Sequence, residues 1–361
     1  MVEYRARMVP LLFFDPLCPR PYSAASLREA GLAGTEASTV RIAEALDAWV
    51  AQHNRTQTEG RYRSPGAVAH VHHVVVLRDP RALGAVARLF PGARLTLWVH
   101  DRIEPGSSRG RWFVNAAAEL RRLQPDIVCV SDYQRALVAA TVARLPGCER
   151  LIVRRIYNPV DDAITPDGTP FDPDKLVFFS SPNKGLRFAL DAFHALHRRL
   201  PHLRLCVGNP GYKSLAADAT PGVEWLGSLP HARILAEART ALCTFSPNFV
   251  IPETFGLVFA ESHAVGTPVL THDCGAAAEV IADPEQLLPV SCAQRLYEAP
   301  LRRLEPRWRR GPARLADALG LFDRYLERIT RWRGGARPQA APDPRFRLSV
   351  VTAEWRRHLA A

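Results

Sequence analysis

The chain has 361 residues, 47% of them hydrophobic and 23% charged. At about 150 residues per domain this length fits two domains, each able to bury a core, and the composition excludes long disorder, collagen and coiled coil. Against 36 Asp and Glu stand 47 Lys and Arg, a formal net charge of +11, which points to an anionic partner: a membrane surface, a nucleic acid or a phosphorylated substrate.

In chain order, Val9–Phe14 reads as a strand, followed by a loop with Gly31 and Gly34 and a helix from Thr35 to about Val50. Val74–Leu77, Leu95–Val99 and Ile127–Val130 read as buried strands, with helices at about 80–90 and 111–123 between them. This βα alternation predicts a parallel, doubly wound sheet. Between 157 and 175, Asn158-Pro159, Asp161-Asp162, Pro166, Gly168, Pro170 and Pro173 crowd together as in a linker. The alternation then restarts. Leu176–Phe179 is a strand, and Leu186, Ala189, Leu190, Phe193, Leu196 and Leu200 recur at helical spacing. Strands at Leu203–Val207, Val223–Leu226, Ala241–Phe245 and Pro268–Thr271 enclose helices at about 230–239 and 256–265. A Gly- and Pro-rich loop, 333–344, precedes a last amphipathic helix at about 350–359. The expected fold class is α/β, with two Rossmann-like domains in series.

Seven cysteines occur, with no CxxC pair, and Cys129, Cys206 and Cys243 sit in apolar runs. Free buried thiols in a reducing cytosol explain them better than disulfides or a zinc site. No apolar run reaches about 18 residues, and Asp15-Pro16 cuts off the short run from Met8 to Phe14. Neither a membrane-spanning helix nor a signal peptide is expected.

The stretch from Ser246 to Ala278, SPNFVIPETFGLVFAESHAVGTPVLTHDCGAAA, carries the most chemistry. It is a βαβ unit, so the loop bearing Glu253 lies at the carboxyl edge of the sheet, where open α/β sheets bind ligands. The amides of Phe255, Gly256 and Leu257 are expected to open the helix and take a phosphate with help from its dipole. Gly256 allows close approach of a ligand to the backbone. Glu253 and Glu261 stand eight residues apart, one at the helix mouth and one a turn inside, and carboxylates so placed suit sugar hydroxyls.

Glu253-x7-Glu261, with Phe255-Gly256-Leu257 and Gly266-Thr267-Pro268-Val269, resembles the signature of retaining GT-B glycosyltransferases of family 4, the glycosyl transferases group 1. Other segments extend the likeness. Ala33-Gly34-Thr35-Glu36 is similar to the family's first glycine loop, with Ala33 where a glycine is usual. His100, after Trp98-Val99, stands where similar enzymes contact the donor sugar. Ser131-Asp132-Tyr133 is similar to a family helix start, which N-capping by Ser131 also explains. Ile156–Asp161 resembles the interdomain segment, with Pro159 where Gly is usual. Ser180-Ser181-Pro182-Asn183-Lys184-Gly185 resembles the donor-diphosphate loop; Lys184 matches its Lys and the earlier Arg is missing. Gly208-Asn209-Pro210-Gly211 matches a loop near the nucleotide and equally an ordinary turn.

The resemblance implies two Rossmann-like domains facing a cleft: 1–157 on the acceptor side, 158–340 for the nucleotide sugar, and a helix in 341–361 packing back on the first. It implies transfer of a sugar from a UDP- or GDP-sugar to a glycan or lipid-linked glycan hydroxyl with retention, without a metal or other cofactor, completed by domain closure. The implied catalytic residues are His100, Lys184 and Glu253. The implied donor-binding residues are Gly34, Lys184, Glu253, Thr254, Phe255, Gly256, Leu257 and Glu261, with Glu261 on the ribose and Glu253 on the sugar. The setting implied is envelope polysaccharide or glycolipid synthesis in the cytoplasm, peripheral on the inner face of the membrane. The missing Arg keeps open a non-catalytic nucleotide-sugar-binding or scaffolding protein of the same fold. Nucleic acid has only the charge in its favour, with no recognisable binding motif. Residues 1–160 hold 22 Arg and 14 acidic residues, a net of +8. Arg109, Arg111, Arg121 and Arg122 flank Trp112 and Phe113, which makes an anionic lipid surface a candidate partner of that half.

Overall fold

The computed structural model describes residues 11–29, 32–209, 220–249, 251–290, 320 and 322–361. The start of the first expected strand, Gly31, Pro210-Gly211 and Cys292 lie outside the described residues. The chain divides into two compact units, one made of the residues up to Ala24, Gly34–Pro159 and Leu348–Ala361, the other of Ala25–Ala33 and Val160–Arg347.

In the first unit β1 (Leu11–Asp15) leads through α1 (Gly34–Ala45) to β2 (Trp49–Gln52), β3 (Tyr62–Arg63) and β4 (His73–Leu77). After α2 (Leu83–Leu89) come β5 (Arg94–Val99), α3 (Ser108–Asn115), α4 (Ala117–Leu123), β6 (Asp126–Cys129), α5 (Asp132–Val142) and β7 (Val153–Arg155). The strands form one sheet in the order β3-β2-β1-β4-β5-β6-β7, parallel throughout. Side chains alternate between its faces. Leu12 and Phe14 join Phe113, Leu120 and Val138 on one face. Phe13 and Trp98 pack edge-on against Trp355 of the C-terminal helix, Leu348–Ala360, with ring centroids 5.9 and 4.9 Å away. The same helix is tied down by His358 Nε2, 3.1 Å from Thr96 Oγ1, and by Arg356, which donates to the Ala45 carbonyl.

The helix expected to run to Val50 ends at Ala45. Asp47 turns the chain with φ +55°, and Trp49, half-buried, and Val50 and Ala51, buried, go into β2. The single helix expected at 111–123 is two helices that meet at Ala116.

In the second unit β8 (Asp172–Phe178), α6 (Leu186–Arg199), β9 (Arg204–Asn209), β10 (Val223–Ser228), α7 (His231–Arg239), β11 (Ala241–Phe245), α8 (Leu257–Ala264), β12 (Val269–His272), α9 (Ala277–Val280), β13 (Leu287–Leu288) and α10 (Asp323–Arg331) follow one another. The sheet order is β10-β9-β8-β11-β12-β13, again all parallel. Leu176, Phe178 and Phe245 pack with Phe188, Phe193 and Leu196 of α6 and with Tyr325 and Ile329 of α10. On the other face Thr244 Oγ1 lies 2.7 Å from Ser262 Oγ, which fastens α8 to β11.

Both sheets are doubly wound, and each reverses its winding once. The reversal falls between β1 and β4 in the first and between β8 and β11 in the second. In open α/β sheets a crevice forms at such a point, outside the carboxyl ends of the two strands.

Candidate functional site

Lys184 and Glu253 follow β8 and β11, the two strands that flank the reversal in the second sheet. They are 69 residues apart in sequence, yet Lys184 Nζ donates to Glu253 Oε2 at 2.7 Å. The Lys184 side chain is 37% exposed and that of Glu253 10%. The lysine side chain is thus partly accessible while the carboxylate is sheltered.

The backbone around this pair is shaped by glycines. Gly185 caps α6 with φ +90°, and a Cβ there would meet the Asn248 side chain at 3.0 Å. This close approach seats the loop after β8 against the loop after β11. Asn248 also closes its own loop, donating from Nδ2 to the Ile251 carbonyl and accepting from the Ile251 amide. Gly275 has φ +65°, and a Cβ there would lie 2.6 Å from the Glu253 carbonyl oxygen. The Ala276 amide donates to that same oxygen at 3.0 Å. The backbone of Glu253 is therefore set by the loop after β12, and Thr254 follows it directly.

Helix α8 starts at Leu257, later than expected, because Gly256 precedes it in a left-handed conformation, φ +87°. Any Cβ at Gly256 would strike the Phe259 ring at 2.5 Å. The amides of Phe259 and Ala260 bond back to the Gly256 carbonyl. The amides at the start of this first helical turn are those of Leu257 and Val258, and of the expected set of Phe255, Gly256 and Leu257 the last is one of them. Phe255 is instead a core residue, 1% exposed, with its ring edge-on to Phe346 at 5.1 Å. Glu261 lies one turn inside α8, and its Oε1 is 2.9 Å from Nε2 of His231 at the start of α7.

In the first unit Gly34 opens α1 and His100 follows β5. His100 is 8% exposed, with its ring 4.5 Å from that of Trp98. Burial, aided by the Arg78 charge, holds its pKa well below the usual histidine value, so the imidazole is neutral at pH 7. The reversal between β1 and β4 is occupied by a buried ion cluster that sequence reading missed. Arg78, at φ +62°, reaches Asp15 at 3.1 Å and Glu36 at 3.3 Å, and Tyr22 donates to Asp15 at 3.1 Å. Burial raises the Glu36 pKa, against the lowering effect of Arg78. Asp15 and Arg78 are 63 residues apart, so no local motif reveals them. His231, Asn248 and Gly275 escaped notice for the same reason.

Among the described residues no group of three or more His, Cys, Asp or Glu side chains is placed to hold a metal ion, and no helix is long and apolar enough to cross a membrane. Cys18, Cys129, Cys148, Cys206 and Cys243 are buried free thiols.

Residues 173–305 match the profile of glycosyl transferases group 1. A phosphatidyl-myo-inositol mannosyltransferase from Mycolicibacterium smegmatis is 29% identical over 153 residues, 40% of this chain and 39% of that protein. The enzyme of the same name from Mycobacterium leprae is 29% identical over 127 residues, 34% of each chain. The matches to these curated relatives thus span about two fifths of their length or less. Among solved structures, Anabaena HepE in complex with UDP and glucose aligns with 98% of this chain and 99% of its own, with a TM-score of 0.64 and 14% identity. A sucrose-phosphate synthase from Thermosynechococcus elongatus aligns with 97% and 99%, with a TM-score of 0.59 and 14% identity.

Proposed function

From a chain of GT-B fold whose second unit carries the glycosyl transferases group 1 module, we propose a glycosyltransferase that moves a sugar from a nucleoside diphosphate sugar to a hydroxyl of a glycan or lipid-linked glycan. The observation that carries this reading is the Lys184–Glu253 pair at 2.7 Å across the sheet reversal, with an accessible ammonium and a sheltered carboxylate. An ammonium has three donors, so Lys184 can hold a phosphate oxygen and keep Glu253. The charge that grows on the leaving diphosphate is met by Lys184 and by the amides of Leu257 and Val258. Glu253 accepts hydrogen bonds from hydroxyls of the transferred sugar, and Glu261 from the ribose diol. Gly34 and Thr254 line the donor, and neutral His100 contacts the sugar.

The reaction proposed is retaining. The bond from the anomeric carbon to the phosphate oxygen breaks, and the bond to the acceptor oxygen forms on the same face. The acceptor proton passes to the leaving phosphate oxygen. Protein cations and amides supply the electrostatic stabilisation, so the scheme needs no divalent metal. The likeness to mannosyltransferases named for a phosphatidyl-inositol supports a lipid-linked acceptor. The same proposal places this chemistry on the inner face of the cytoplasmic membrane, in envelope polysaccharide or glycolipid synthesis. On the first unit the Arg81 and Arg109 guanidiniums lie 3.9 and 3.8 Å from the Trp112 ring centroid, a cationic aromatic surface that suits anionic lipid. Co-sedimentation with liposomes should rise with anionic lipid content, and indifference to it would refute the docking.

The test of the activity is release of nucleoside diphosphate from UDP- and GDP-sugars. Lys184→Ala and Glu253→Ala should each cut turnover by more than about tenfold while the circular dichroism stays native. Wild-type turnover in both variants would overturn the assignment. A second reading, a nucleotide-sugar-binding protein without turnover, is favoured by Ser180 and Ser181 standing buried where the diphosphate Arg is usual. Binding of a nucleotide sugar with neither transfer nor hydrolysis would select it.

A further inference from the structure

We infer that His231 is a positioning residue of the donor site: it fixes the Glu261 carboxylate and thereby sets how strongly the protein prefers a ribonucleotide over a deoxyribonucleotide. The inference rests on the ribose-binding role given to Glu261 above and adds a residue from another element, which the resemblance does not supply.

Helices α7 and α8 pack against each other, and this brings residues 30 positions apart into contact. Glu261 is 12% exposed and faces His231, whose side chain is 29% exposed, at 2.9 Å from Nε2 to Oε1. The Nε2 atom is buried and makes no aligned hydrogen bond, so the approach to the carboxylate is off the ring N–H axis and the contact is electrostatic. A carboxylate this sheltered needs a polar partner. His231 supplies it from a firm base. It is the first residue of α7, it follows Pro230, and the Arg233 and Ile234 amides both bond to the Pro230 carbonyl. A rigid ring on the first turn of a helix is a fixed stop that narrows the rotamers open to the glutamate. The helix start also adds its positive end near the carboxylate.

A diol held by a carboxylate needs both oxygens in one plane and in one place, because two hydrogen bonds must form together. Removal of the imidazole leaves Glu261 in the protein and takes away its fixed geometry. The loss should therefore fall on ligands that carry both ribose hydroxyls and spare those that lack one. A residue that merely holds α7 on α8 would weaken every nucleotide alike.

The experiment is calorimetric titration of the full chain, with UDP and GDP and then the 2′-deoxy form of whichever base binds. Wild type should bind the ribonucleotide about tenfold or more tighter than the deoxynucleotide. In His231→Ala the ribonucleotide should bind about fivefold or more weaker, the deoxynucleotide almost unchanged, and the preference should shrink to within about threefold. His231→Gln, whose amide can reach and donate to the carboxylate, should restore most of the preference. In turnover, His231→Ala should raise the donor KM by the same factor and lower kcat much less. An equal loss for both nucleotides, or an undiminished preference in His231→Ala, overturns the role of His231. A wild type that binds both forms equally overturns instead the ribose role of Glu261, and the inference falls with it.

Discussion

In Gly275→Ala a methyl group would lie 2.6 Å from the Glu253 carbonyl oxygen and 2.7 Å from Pro252 Cβ, both well inside contact distance. Relief of that overlap must move the Glu253 backbone by somewhat under ~1 Å, since the Gly275 side is itself held at φ +65°. A misplacement of about 1 Å at a positioned group costs roughly a hundredfold in rate, so kcat/KM for nucleoside diphosphate release should fall about 30- to 100-fold. The left-handed backbone adds about 1–2 kcal/mol of strain for alanine, and the overlap a further 1–3 kcal/mol or so. Gly168→Ala separates the two effects. Gly168 has φ +77° and no heavy atom within 4 Å of a new Cβ, so it should lose about 1–2 kcal/mol of stability and no activity. Turnover by initial rates and stability by urea denaturation measure both variants. Unchanged kcat/KM in Gly275→Ala, or an equal loss in Gly168→Ala, would refute the claim that the loop after β12 sets Glu253.

Three further outcomes are expected. Burial, with help from Arg94 and His358, lowers the His73 pKa to about 4, and burial lowers that of His272 to about 4. In each case the unfolded chain takes up its proton first, so stability is full above about pH 6.5 and is lost as the pH falls from there toward 4. Each histidine should remove about 2 kcal/mol by pH 5, and a urea midpoint that does not fall between pH 7 and pH 5 would contradict the assignment. Arg78→Met leaves Asp15 and Glu36 buried without their cation and should cost about 3–5 kcal/mol in urea denaturation; a loss under about 1 kcal/mol would show that the cluster is not held by that charge. Phe255→Ala removes a ring that is 1% exposed and packed on Phe346; it should cost about 3–5 kcal/mol in stability, and its failure to do so would remove Phe255 from the core.

What the sequence revealed follows from how local each signal was. β4, β5, β6 and β11 are fully or almost fully buried, and strands covered on both faces read as continuous apolar runs. The segment from Glu253 to Val269 was legible because both carboxylates, the glycines and the helix lie within one βαβ unit. β2 was not, because its Trp49 and Val50 continue the apolar texture of α1, and only the left-handed Asp47 divides them. β3 and β7 are two and three residues long and too short to show a period. The motif showed Phe255 only through its backbone amide, and the burial of its ring against Phe346 is decided by packing across 91 positions of chain. His231 and Gly275 look like an ordinary helix start and an ordinary turn glycine, and their role appears only when the fold brings them to Glu261 and Glu253.

The two sheet reversals have the same topology and different electrostatics, and exposure decides what each can do. In the first unit Arg78 is 15% exposed and is shared by Asp15, at 0%, and Glu36, at 6%. Its charge is used internally by two carboxylates, so an incoming diphosphate would have to displace buried partners and would meet a surplus of negative charge. In the second unit the Lys184 side chain is 37% exposed and pairs with Glu253, whose side chain is 10% exposed. An ammonium has three donors, so an anion at Lys184 would not have to break the pair. On the function proposed above, exposure favours the second unit for the diphosphate although the first holds most of the net positive charge. Exposed arginines of the first unit are in part paired locally, as Arg122, 58% exposed, is with Glu119 and Arg135, 48% exposed, is with Asp132. Net charge and the exposure of a cation at a strand reversal are thus separate signals, and the proposed site rests on the second.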